Sequence, residues 1–210
     1  MYGKSDKELL SEDDDLLIGP PTHARWSYAC SKLMDEFMAL AWWRERSVPV
    51  IVARLFNTVG PCQTGRYGMV LPRLIEAAKK NEPLRVFGDG QQSRCFCDVL
   101  EVVECLSRLQ QAPRAVGEIV NVGGTEEMTI LRLAELVKDV LASTSEIKLV
   151  PCADAYAPGF ADLRRRKPDL SKLTNLTGFR PTTNLAESIH RAAALNVPPT
   201  THLSSALEVK

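Results

Sequence analysis

One heptapeptide limits what this chain can become. Val50-Ile51-Val52-Ala53-Arg54-Leu55-Phe56 is the only run with the length and apolarity of a strand at the centre of a parallel sheet. Strands buried on both faces lose the in–out alternation and read as continuous apolar stretches. A helical pattern precedes the run, over residues 26–46 through Tyr28, Leu33, Phe37, Leu40 and Ala41, and Ser47-Val48-Pro49 breaks it. Further on, periodicity and capping residues predict helices over 70–80, from Asp98 to Leu109, over 130–141 behind Thr129, over 169–176 and over 185–195 behind Asn184. Shorter strands are expected at 84–87, 118–122 and 147–150. Strands alternating with helices imply an α/β architecture. A doubly wound sheet uses about six central strands, so this sheet is either unusually small or incomplete. Residues 1–24 are polar and rich in turn formers, and are expected to form a loop with no core of its own.

Composition excludes several partners. Lys+Arg and Asp+Glu each number 26, leaving no net charge to draw the chain to nucleic acid or an anionic membrane. No apolar run reaches the roughly 18 residues of a membrane span. The segment 1–15 is acidic with no apolar core, unlike a secretory signal. A cytoplasmic location is therefore expected. Cys30, Cys62, Cys95, Cys97, Cys105 and Cys152 form no disulfide framework of the kind short secreted chains carry. Cys95-x-Cys97 has no second ligand pair, so scattered reduced thiols and no metal are expected. His23, His190 and His202 stand alone in the sequence.

The sharpest chemical signal is Tyr28-Ala-Cys-Ser-Lys32. At i and i+4 on a helix the two side chains share a face. A phenol titrates near pH 10, too high for a base at neutral pH, and a nearby ammonium favours the phenolate. Taken alone, the pair also describes a tyrosine packed on a lysine stem. Its surroundings narrow the choice: Arg54-Leu55-Phe56-Asn57-Thr58-Val59-Gly60-Pro61, then Gly88-Asp89-Gly90-Gln91-Gln92-Ser93-Arg94, Asn121-Val122-Gly123, Arg166-Lys167-Pro168-Asp169 and Gly178-Phe179-Arg180-Pro181. In this order and spacing, from Tyr2 to about Leu195, the chain resembles the C-terminal part of an extended short-chain dehydrogenase/reductase. The branch is that of the NAD-dependent nucleotide-sugar epimerases and dehydratases, nearest in appearance to UDP-glucose 4-epimerase and UDP-glucuronate decarboxylase.

The resemblance implies an incomplete Rossmann-like fold lacking the N-terminal βαβ units. Residues 1–62 would be the remnant of the NAD-binding domain. Residues 63–195 would mostly form a nucleotide-sugar lobe, with segments returning to the sheet, and 196–210 a tail. It implies Tyr28 as the catalytic base and Lys32 as the lysine that binds the nicotinamide ribose and favours the phenolate. Leu55 and Phe56 would border the nicotinamide, and Asn57 would hydrogen-bond the sugar nucleotide. Val86 and Phe87 would lie beside uracil, and Arg94 and Arg166 would hold the diphosphate. Guanidinium forks suit phosphate oxygens on independent grounds, although Arg164-Arg165-Arg166-Lys167 would equally make a solvated basic loop.

The pattern also breaks. No G-x-x-G-x-x-G follows a first strand, so the backbone cradle for a dinucleotide pyrophosphate is missing. The family's catalytic Ser or Thr would stand just before Met1-Tyr2-Gly3. The chain is therefore expected to bind NAD poorly, and to be unstable, homo-oligomeric or paired with an N-terminal half. The activity implied is transient oxidation of a UDP-sugar at C4, leading most directly to 4-epimerisation. Decarboxylation or dehydration, and a non-catalytic UDP-sugar-binding role, remain open.

Overall fold

The computed structural model describes residues 2–3, 5, 7–23, 25–65, 69–151 and 164–194. The tail at 196–210, Cys152, His202, Pro158-Gly159 and positions 66–68 of the expected long loop lie outside the described residues. In chain order the elements begin with α1 (Arg25–Arg46), β1 (Val52–Leu55), β2 (Thr58–Val59), α2 (Val70–Lys79) and β3 (Leu84–Phe87). They continue with β4 (Ser93–Cys95), β5 (Cys97–Asp98), α3 (Val99–Gln111), β6 (Ile119–Val122) and β7 (Glu127–Thr129). The series closes with α4 (Ile130–Val140), β8 (Ile147–Val150), α5 (Ser171–Thr177) and α6 (Leu185–Ala194).

Local chemistry sets most of these boundaries. Asp98 caps α3 by accepting from the Leu100 amide at 2.9 Å, and Thr129 caps α4 through the Arg132 amide at 3.2 Å. Asn184 accepts from the Ala186 amide at 2.8 Å at the start of α6. Each satisfies an amide that the first helical turn leaves without a partner. Helix α5 starts two residues later than expected, because Asp169 accepts from the Ser171 amide at 2.8 Å and stays outside the helix. Gly178 then ends α5 at φ 67°, a left-handed conformation that costs a residue without a Cβ nothing.

The strands pair two by two among the described residues: β1 with β6, β2 with β5 and β3 with β8 in parallel, β4 with β7 antiparallel. In β1–β6 the register sets Arg54 opposite Asn121 and Leu55 opposite Val122. The expectation that the apolar run is buried on both faces does not hold here. Only four of its residues form a strand, with one described neighbour, and Leu55 is 53% exposed. Helix α1 also exposes apolar side chains, with Tyr28, Met34, Phe37, Met38 and Trp42 all more than half exposed.

Two larger cores organise the rest. Leu71, Leu74, Val86, Leu133, Val137 and Ile189 form one, under α2, α4, α6 and β3. Cys105, Leu109, Val120, Val122 and Leu173 form the other, where α3 and α5 close over β6. Each fully buried aliphatic side chain contributes roughly 1.5–3 kcal/mol. A third, small cluster corrects the sequence-based expectation for the N-terminal loop, whose Tyr2 and Leu10 are 5% and 4% exposed against Phe56. Leu10 exchanges backbone hydrogen bonds with Lys167 (2.8 Å) and Asp169 (2.9 Å), which bridges it to the distant segment before α5. No described helix is long and apolar enough to cross a membrane.

Candidate functional site

A trough of about 1200 Å³ runs between the N-terminal segment, α1 and the C-terminal end of β1. Tyr28 and Lys32 line it from α1, and Leu55, Phe56 and Asn57 line it from the end of β1. The phenol of Tyr28 is open to the trough, since the residue is 68% exposed. The Lys32 ammonium lies 3.0 Å from Asp35, also on the trough wall. That hydrogen bond and the aspartate's charge raise the Lys32 pKa above its ordinary value, so the ammonium is charged at neutral pH. Asp35 was not anticipated, although its place three residues after Lys32 makes it an i,i+3 partner.

The strand end is fixed by a buried ion pair. Arg54 donates to both carboxylate oxygens of Glu36 at 2.9 and 2.8 Å, joining β1 to α1. Its guanidinium lies 4.8 Å from the centroid of the Tyr2 ring and donates to the Glu12 carbonyl at 3.3 Å. Burial opposes the charge on Arg54, but the hydrogen bonds with Glu36 and Tyr2 outweigh it and raise its pKa. Burial likewise raises the Tyr2 phenol, against the pull of Arg54, so it is a hydroxyl donor at neutral pH. It donates to Asn121 at 2.5 Å, and Asn121 donates in turn to the Leu10 carbonyl at 2.8 Å.

A second cleft of about 230 Å³ opens beside the trough. It brings together Asn57, Phe87, Arg94 and Arg166, four of the residues singled out from sequence. Asn57, Thr58, Gln63, Met69 and Arg166 line both cavities, so the two share a wall. Asn57 is held in place by donating to the Cys95 carbonyl at 3.0 Å. Arg94, 9% exposed, donates to the Ser93 carbonyl at 2.7 Å. Val86 does not line the cleft: it is fully buried in the core, because β3 alternates and turns Leu84 and Val86 inward. Arg85 and Phe87, the outward pair of the same strand, do line it. So does Arg73, from the first turn of α2. Neither arginine was anticipated, although the period of two in β3 carries a signal for Arg85.

The basic run is anchored rather than freely solvated. Arg165 donates to both oxygens of Glu127 at 2.6 Å and to Glu8 at 3.2 Å. The Ser93 amide donates to the Arg164 carbonyl at 2.8 Å. The Arg165 hydrogen bond holds the Glu127 carboxyl below its ordinary pKa. Burial pushes the Cys95 and Cys97 thiols up to about 11 and about 12, which leaves both protonated and poor nucleophiles at neutral pH.

Residues 1–123 match the sequence profile of the NAD dependent epimerase/dehydratase family. The UDP-N-acetyl-alpha-D-glucosaminuronate decarboxylase of Bacillus cytotoxicus is 38% identical over 182 residues, which cover 86% of this chain and 56% of that protein. UDP-glucuronic acid decarboxylase 1 of Danio rerio is 35% identical over 196 residues, 91% of this chain and 44% of that protein. Among solved structures, a UDP-N-acetylglucosamine 4-epimerase from Methanobrevibacter ruminantium M1, in complex with UDP-N-acetylmuramic acid, superposes with a TM-score of 0.80 at 27% identity, covering 92% of this chain and 58% of that one. The UDP-glucuronic acid 4-epimerase from Bacillus cereus, in complex with UDP-glucuronic acid and NAD, gives 0.77 at 25% identity, covering 92% and 57%. These likenesses identify the fold of the chain as a partial Rossmann-like α/β fold. The chain spans about half the length of the curated relatives it matches.

Proposed function

The chain belongs to the NAD-dependent epimerase/dehydratase family, and from that premise we propose that it supplies the Tyr-Lys pair and the nucleotide-sugar cleft of an enzyme acting on a UDP-sugar through oxidation at C4. One observation carries this assignment: the trough of Tyr28 and Lys32 and the arginine-lined cleft share a wall that includes Asn57 and Arg166. A diphosphate held by Arg94 and Arg166 would thereby hand its sugar toward Tyr28.

In this assignment the Tyr28 phenolate, favoured by the charged Lys32, takes the proton of the sugar C4 hydroxyl. The Lys32–Asp35 pair is about half exposed, and such pairs are worth roughly 0–1 kcal/mol. Lys32 can therefore leave Asp35 for a ribose hydroxyl at little cost. The residues present fit the nicotinamide end of a dinucleotide, with the exposed Leu55 as an apolar wall and Lys32 as a donor. NAD, when bound, supplies the hydride acceptor. The two curated relatives described above are decarboxylases of UDP-uronates, which favours decarboxylation as the outcome. The structural neighbours, both 4-epimerases, favour epimerisation as the second reading.

Titration calorimetry tests the cleft. Arg94→Ala and Arg166→Ala should each weaken UDP-sugar binding by roughly 1.5–3 kcal/mol, the value of a lost charge-assisted contact. Free uridine should bind the variants and the parent alike. Equal weakening of both ligands would show the arginines to be structural and would defeat the assignment.

A further inference from the structure

Among the described residues four arginines line the 230 Å³ cleft, Arg73, Arg85, Arg94 and Arg166, and no carboxylate does. The UDP-sugar assignment uses Arg94 and Arg166 for the diphosphate and leaves Arg73 without a task. Its guanidinium carbon lies 4.9 Å from the centroid of the Phe87 ring. Both partners are rigidly mounted. Phe87 sits in register with Val150 of β8, and its carbonyl accepts from the Gln92 side-chain Nε2 at 2.9 Å. Arg73 stands between Leu71 and Leu74, which are 1% and 2% exposed and fix the first turn of α2 in the core. Among the described residues no carboxylate lies within ion-pair distance of Arg73. A surface arginine normally has its charge met by an acid or by bulk water, whereas this one faces a cleft wall and an aromatic ring.

A guanidinium over a ring face is held by the ring's negative quadrupole and keeps its N–H donors in its own plane. Those donors complement a flat ligand that presents carbonyl oxygens at its rim. Uracil does so at O4: a guanidinium N–H directed at the C4 substituent finds an acceptor there, while cytosine puts an amino donor at the same position. Donor facing donor leaves both unpaired in a partly dehydrated site, and such mismatches are how polar sites reject near-isosteres.

We propose that Arg73 is the base-reading residue of this cleft: with Phe87 it holds a 2,4-dioxopyrimidine and selects uridine over cytidine nucleotides. Resting on the UDP-sugar assignment, it adds to that assignment a residue that touches the base and sets base specificity.

The test titrates UDP, CDP and inorganic pyrophosphate into the chain and into Arg73→Met, which keeps the stem and its packing but removes every donor. The parent should bind UDP at least about tenfold more tightly than CDP. Arg73→Met should lose about tenfold in UDP affinity, with CDP and pyrophosphate within about twofold of the parent. Arg73→Lys, with the charge but no planar fork, should fail to restore the UDP preference. It also carries the comparison if Arg73→Met loses its thermal transition. Parallel weakening of all three ligands, an unchanged UDP affinity, or a parent that does not distinguish UDP from CDP would each overturn the inference. A parent that binds pyrophosphate but shows no base preference leaves the diphosphate assignment standing, whereas a parent that binds neither UDP nor pyrophosphate removes that assignment itself.

Discussion

Deleting the Glu36 carboxylate should damage the stability of this chain more than almost any other single polar substitution. The side chains of Glu36 and Arg54 are 6% and 7% exposed, and two hydrogen bonds of 2.9 and 2.8 Å join them. Glu36→Ala leaves the guanidinium buried and charged without its counter-ion. Breaking one partner of a buried pair costs about 3–5 kcal/mol. Arg54 would keep the Glu12 carbonyl and the Tyr2 ring, which sets the expected loss at the lower end, ~3 kcal/mol. For a chain of this size each kcal/mol moves Tm by about 2–4 °C, so calorimetry should record a fall of roughly 6–12 °C. Urea titration should show the same loss in the midpoint with an unchanged slope. The double variant Glu36→Leu/Arg54→Met, which removes both charges and fills the space, should be markedly more stable than either single variant. A loss below about 1 kcal/mol for Glu36→Ala, or a double variant as unstable as the sum of the singles, would refute the view that these residues act as a desolvated pair.

Three further outcomes follow from the site. Joined to the N-terminal half of a related enzyme, the chain should turn over a UDP-sugar and lose that activity on Tyr28→Phe or Lys32→Met; carbon dioxide release from UDP-glucuronate, against formation of its C4 epimer, then distinguishes decarboxylation from epimerisation. Glu127 has a folded-state pKa below its unfolded value, so its contribution to stability is complete above the unfolded pKa and is lost as pH falls through the folded one. Acid titration of Glu127→Gln should accordingly show a shallower stability loss than the parent below about pH 4. Under native conditions a maleimide should label Cys30 and Cys62, which are exposed, and spare Cys95, Cys97 and Cys105 until denaturant is added; peptide mapping reads the difference.

What the sequence made legible is what depends on near neighbours. Asp98, Thr129 and Asn184 cap helices because a short polar side chain reaches an amide two or three residues on, and that reach is written in the local order of residues. The ordered motifs from Tyr28 to Gly123 likewise carry the family, and they lie within the profile match over residues 1–123. Other features depend on which segments meet. Strands β2 and β5 are two residues each, too short for any period to declare them. The exposure of Leu55 depends on which strands stand beside β1, and the apolarity of residues 50–56 says nothing of that. Arg73 meets Phe87 only because α2 lies over β3. Val86 is the exception among the misplaced residues, since alternation along Leu84-Arg85-Val86-Phe87 already points it away from the cleft.

The tie between the N-terminal segment and the rest of the chain has a kinetic consequence. The Tyr2–Asn121 hydrogen bond joins residues 119 apart, and the Leu10–Asn121 bond joins residues 111 apart. Closing a loop of that length costs entropy that a few contacts recover only after β1 and β6 are already side by side. The segment should therefore dock after the rate-limiting step of folding, as the final latch across a preformed surface. Tyr2→Phe should then leave the refolding rate nearly unchanged and appear almost wholly as faster unfolding. Opening of this latch, rather than of either large core, would set how long the folded chain persists.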